Sequence, residues 1–168
     1  MRRVTLVLGG ARSGKSRYAE GLARGKAGPK TYIATAEAFD DEIRARINKH
    51  QSDRLSDGWE TIEAPLDVVA ALGLARGFVL VDCITVWLGN LMHHQRDLGG
   101  AVAEFCSALQ SRDGEIVLVS NEVGLSIVPD NSMARAFRDE QGLANQRLAE
   151  VADEVVFIAA GLPLKLKG

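Results

Sequence analysis

No apolar run in this 168-residue chain approaches the ~18 residues of a membrane span, so stable membrane insertion is not expected. Met1-Arg2-Arg3 leads straight into a strand-like run rather than a signal-peptide core, which points to a cytoplasmic address. Basic residues are not in excess: 20 Lys and Arg against 22 Asp and Glu leave a net charge of −2, which offers no broad basic face for nucleic acid. Small anionic molecules remain open as substrates. Cysteine is scarce as well. Cys83 and Cys106 sit in apolar surroundings without metal-ligand spacing, and buried reduced thiols are expected rather than a disulfide. With no low-complexity stretch and 46% hydrophobic residues, the chain reads as one domain over 1–168 with a real core.

What is present is an alternation. Apolar runs rich in β-branched residues recur at 4–8, 31–35, 78–82, 116–120 and 154–159, and 59–63 is a candidate short strand. Between them lie helix-period segments at about 14–25, 40–53, 66–75, 84–94, 100–112 and 133–151. This order predicts an α/β fold with a mainly parallel sheet, and Leu162-Pro163-Leu164-Lys165-Leu166 suits an antiparallel edge strand. Ligands in such sheets collect at the carboxyl ends of the strands.

One strand end carries the strongest motif. Gly9-Gly10-Ala11-Arg12-Ser13-Gly14-Lys15-Ser16 fits G-x-x-x-x-G-K-[ST] directly after Val4-Thr5-Leu6-Val7-Leu8. Glycines at both ends let backbone N–H groups turn toward anionic oxygens, and the following helix adds its positive end. Lys15 can reach terminal phosphates and Ser16 can hold Mg²⁺ or another divalent cation. Phe78-Val79-Leu80-Val81-Asp82 ends in a carboxylate suited to the same cation; the alternative is that Asp82 caps the helix beginning at Ile84. Ser120-Asn121-Glu122 either lines this cleft or caps a turn.

The segment Asp40 to Arg54 is acidic in its first turn and basic in its last, as a helix dipole prefers. Helical spacing puts Ile43, Arg46, Ile47, His50 and Arg54 along one face. Two readings stand: an apolar stripe with a satisfied histidine, or a nucleophilic imidazole between two arginines that hold a polyphosphate. His93 and His94 read as a solvated helix end, and Trp87 as a buried helix anchor.

The ordered set formed by the phosphate loop, Tyr32 to Ala36, Asp41-Glu42, Arg46-Ile47, Asn121 to Gly124, Ile127-Val128-Pro129, Asn145 to Ala149 and Ala152 to Val155 resembles the bifunctional adenosylcobinamide kinase/adenosylcobinamide-phosphate guanylyltransferase family of cobalamin biosynthesis, nearly end to end. The resemblance implies a three-layer P-loop NTPase (RecA-like) fold and two reactions. ATP or GTP phosphorylates adenosylcobinamide; GTP then gives GMP to adenosylcobinamide phosphate, through a guanylyl-histidine that falls on His50. Catalytic roles are implied for His50 and Lys15. Nucleotide contacts are implied for Gly9 through Ser16, for Ala34, Thr35 and Ala36, for Gln51, Ser52, Asp53 and Arg54, and for Glu63 and Asp82. Ser16 and Asp82 would face the cation, and the family forms a homotrimer. Two rivals differ in class: a monofunctional phosphate-loop kinase, and a nucleotide-dependent regulatory module. Asn48-Lys49-His50-Gln51 lacks the Asp of a guanine-reading switch, which weighs against the second.

Overall fold

Period-2 alternation within the apolar runs sends successive side chains to opposite faces of a sheet. In the computed structural model, which describes residues 1–38, 41, 44, 45, 48, 52 and 56–168, that division is complete. Val4, Leu6, Leu8, Val79, Val81, Ile116 and Leu118 join one buried cluster. Val7, Phe78, Leu80, Val117, Val119, Val156 and Ile158 join the other.

The strands are β1 (Arg2–Gly9), β2 (Lys30–Ala34), β3 (Trp59–Glu63), β4 (Phe78–Asp82), β5 (Gly114–Asn121), β6 (Glu154–Ala159) and β7 (Leu162–Lys167). They form one seven-stranded sheet in the order β3-β2-β4-β5-β1-β6-β7. All neighbours are parallel except β6 and β7, which form an antiparallel hairpin. β1 is therefore an interior strand, flanked by β5 and β6 and buried from Val4 to Gly9.

The helices are α1 (Lys15–Gly21), α2 (Val68–Leu74), α3 (Ile84–His93), α4 (Leu98–Ser111) and α5 (Ser132–Val151). Those from α2 to α5 feed the first cluster, where Trp87 stacks edge-on against Phe105 at 5.4 Å between centroids. Ala19 of α1 belongs to the second cluster, so helices cover both faces. The expected helix over 14–25 is shorter. α1 stops at Gly21, and Leu22, Ala23 and Arg24 close tighter i to i+3 bonds onto Ala19, Glu20 and Gly21. Glycines at 21 and 25 weaken a continued helix. Of the segment expected to be helical over 40–53, Asp41, Arg44, Ala45, Asn48 and Ser52 are helical.

Candidate nucleotide site at the carboxyl edge of the sheet

The turn after β1 is built for close approach. A Cβ at Gly9 would lie 2.5 Å from Ser13 Oγ and 2.7 Å from the Ile158 carbonyl, so the loop packs to backbone distance there. Gly14 sits at φ 97°, in the left-handed region, and caps α1 without a side chain. Among the described residues the first-turn N–H groups of α1 thus meet no side-chain cap, which suits them to an anion. Among the described residues Ser13 Oγ is buried without a hydrogen-bond partner, a second polar group for which a phosphate oxygen would be a fit.

Lys15 lies folded into this loop. It is 8% exposed, and its Nζ donates to the Gly10 carbonyl at 2.8 Å. Burial lowers its pKa, with Cys83 and Asp82 at the end of β4 pulling the other way.

Asp82 terminates β4 with its carboxylate half-buried, and Tyr32 Oη donates to its Oδ2 at 2.7 Å. The alternative reading of Asp82 as a helix cap is corrected: the N-cap of α3 is Cys83, whose Sγ accepts from Val86 N at 3.4 Å. The thiol's pKa is pushed up to about 11 by burial and then by Asp82. Both cysteines are unpaired as expected, but each is partly exposed rather than fully buried, because both lie at helix surfaces or ends.

Neighbouring strand ends are lashed to this point. Thr35 Oγ1 donates to the Cys83 carbonyl and accepts from Cys83 N, each at 2.8 Å. Asn90 Nδ2 donates to the Thr35 carbonyl at 2.7 Å. Thr35 is fully buried, so its side chain acts as a brace between β2 and β4; Ala34 is buried beside it and Ala36 is exposed. At β5, Asn121 N donates to Thr85 Oγ1 at 2.8 Å, and Glu122 N donates to the Gly9 carbonyl at 3.0 Å. Ser120 Oγ, Gln141 and Asn145 form a buried network beneath, and Asn145 Nδ2 donates to the Asn121 carbonyl at 3.1 Å. The Ala160-Gly161 turn joining β6 to β7 touches the loop from the other side, with Gly161 N donating to the Ser13 carbonyl at 2.8 Å.

The fold thus gathers Gly9 to Ser16, Asp82, Thr35 and Asn121-Glu122 along one sheet edge. Glu63 ends β3 at the far side of that edge and is exposed. Ser52 is helical, its hydroxyl donating to the Asn48 carbonyl. His50, Gln51, Asp53 and Arg54 lie outside the described residues. His94, at the exposed helix end, contacts Glu37 at 3.1 Å, and Trp87, 1% exposed, anchors α3 through Nε1 to the Leu66 carbonyl. Sequence reasoning missed Tyr32 Oη as the partner of Asp82 and the hairpin turn under Ser13. Both are contacts across the sheet, where only strand pairing reveals the neighbour.

A phosphate loop after the interior strand β1, with β5 between it and the acid-bearing strand, defines a P-loop nucleotide-binding α/β protein of the RecA-like type. An ATPase of the type III secretion system of pathogenic bacteria has the same fold at a TM-score of 0.53 and 11% identity, over 97% of this chain and 56% of its own. The family model described as cobinamide kinase/cobinamide phosphate guanyltransferase matches residues 5–166, and the chain belongs to that family. The bifunctional adenosylcobalamin biosynthesis protein CobP of Pseudomonas aeruginosa is 44% identical, covering 97% of this chain and 96% of the relative. The corresponding CobU protein of Salmonella typhimurium is 41% identical, covering 96% and 98%.

Proposed function

We propose that this chain is a single-domain bifunctional transferase: it phosphorylates adenosylcobinamide with ATP or GTP, then moves GMP from GTP to the resulting phosphate, releasing pyrophosphate. The observation that carries this reading is a primed phosphate loop within a full-length family match: Lys15 is parked on the Gly10 carbonyl beside the β4 carboxylate.

In the kinase step, loop amides and the α1 first turn hold the phosphates, and Lys15 exchanges the Gly10 carbonyl for phosphate oxygens. Ser16 and Asp82 would hold Mg²⁺. One hydroxyl and one carboxylate suit this ion, which completes its shell from phosphates and water. Bound there, it would neutralise charge on the phosphates. In the second step, His50 Nε2 or Nδ1 attacks the α-phosphorus of GTP, the α–β bridging bond breaks, and pyrophosphate leaves on the loop. The phosphate of adenosylcobinamide phosphate then attacks the same phosphorus and frees the imidazole. Gln51 to Arg54, Ala34 to Ala36 and Glu63 complete the nucleotide contacts in this reading. Assembly as a homotrimer in the cytoplasm belongs to the same proposal; Leu162, Leu164 and Leu166 on β7 are exposed and available for such contact.

Incubation with α-labelled GTP tests it. An acid-labile, base-stable GMP adduct mapped to His50 by mass spectrometry, absent in His50→Ala, is expected. Phosphorylation of cobinamide without any adduct would favour the monofunctional kinase.

A further inference from the structure

Where the second substrate lands is constrained by three strand exits. The phosphate loop leaves β1, Asp82 ends β4, and β5 lies between these two strands. The reacting end of a triphosphate is therefore flanked by the exit of β5. The exit of β4 is closed, because it enters α3 at once and is tied to Thr35 and Asn90. β5 instead opens into residues 122–131.

This loop is pinned at both ends. At its root, Glu122 N donates to Gly9 O and Gly124 N donates to Glu122 Oε1 at 2.5 Å. At its end, Ala134 N donates to Asn131 Oδ1 at 2.7 Å and Arg135 Nη1 to the Pro129 carbonyl at 2.9 Å. Between these anchors Leu125, Ile127 and Val128 are 83%, 93% and 62% exposed, and Met133, just inside α5, is 71% exposed. A fixed loop with an aliphatic middle held in water is a surface awaiting an apolar partner.

We propose that residues 122–131 dock the corrin ring, with Leu125, Ile127 and Val128 covering the methyl-bearing rim of the macrocycle while its hydroxyl arm reaches the terminal phosphate. This rests on the transferase reading above. The loop is continuous with the phosphate site: it is hydrogen-bonded to the first glycine of the phosphate loop, and a two-substrate phosphoryl transfer needs its acceptor beside that loop. Neither tryptophan offers a stacking face, since Trp59 and Trp87 are 5% and 1% exposed. The cleft of about 600 Å³ among α2, α3 and α4 includes no residue of the phosphate loop, Asp82 or Glu122.

The test is the triple variant Leu125→Ser, Ile127→Ser, Val128→Ser in the full chain. Substitutions at such exposed positions leave the fold nearly unchanged in stability. Cobinamide KM should rise at least tenfold with kcat at saturation within twofold, and dialysis should show cobinamide binding weakened equally while GTP binding holds. Unchanged cobinamide binding overturns the proposal, as does weakened GTP binding. A fall in native mass with unchanged cobinamide KM overturns it too, assigning the patch to a contact between copies. Dialysis reads the loop without turnover, so an inactive wild type would sink the transferase reading and leave this result standing by itself.

Discussion

Lys15 carries its charge in a place that penalises it until phosphate arrives. Burial lowers its pKa below 10.5, so the free native state binds fewer protons than the unfolded chain in the window between that lowered value and 10.5. The free protein therefore gains stability from this group as pH rises through that window. Triphosphate reverses the preference, because only the ammonium pairs with it. GTP affinity should be flat at neutral pH and decline on the alkaline side, starting below pH 10.5, as the free lysine loses its proton. Lys15→Met should lower kcat by about 100-fold or more, with melting unimpaired, and abolish the alkaline decline. Equilibrium dialysis of both proteins from pH 7 to 10 reads the decline, and steady-state kinetics and a thermal melt read the rest; an identical decline in the variant would move the effect to another group. Legibility at this scale was uneven. Lys15 and Ser16 are named by a local motif, whereas the partner of Asp82 is Tyr32, fifty residues away in sequence, and only the β2–β4 pairing brings them together.

Among elements, the β6–β7 hairpin is the least expected contributor to the site. Its two-residue turn has φ 51° at Ala160 and 79° at Gly161, the pattern of a type I′ turn, which prefers Asn-Gly. Ala160→Asn should raise stability by about 0.5–1 kcal/mol, because asparagine tolerates the left-handed region better than alanine. Gly161→Val should cost about 1–2 kcal/mol and also weaken GTP binding, since Gly161 N holds the Ser13 carbonyl. Thermal melts with and without GTP check this pair; a Gly161→Val protein that binds GTP normally would show that the hairpin supports the sheet alone. The edge strand itself was readable from the alternation in Leu162 to Leu166. Its role under the phosphate loop was not, because a turn's hydrogen bond to a distant carbonyl leaves no periodic trace. The shortened α1 is a similar case: apolar spacing runs on past Gly21, and the glycines overrule it.

For the molecule as a whole, the parallel order follows from strands that read as continuous apolar runs, since burial on both faces removes the polar side of the pattern. The order of strands was not legible, because pairing of β1 with β5 and β6 depends on crossover geometry rather than on any local residue. Binding should be felt globally. GTP at 100 times its Kd should stabilise the fold by about 2.7 kcal/mol and raise Tm by roughly 5–10 °C. Differential scanning calorimetry at several GTP concentrations measures it, and a Tm independent of GTP would contradict a nucleotide site in the free protein.

The interior place of β1 also governs how the protein is made. Its Arg2 pairs with Gly114 and its Thr5 with Glu154, so at ~5–20 residues per second the first strand leaves the ribosome on the order of ten seconds before either neighbour exists. During that interval Val4 to Leu8 is an unshielded aliphatic strand on the nascent chain, a segment of the kind that chaperones hold. The phosphate loop, translated before the strands that shield β1, is thus among the last parts to be completed.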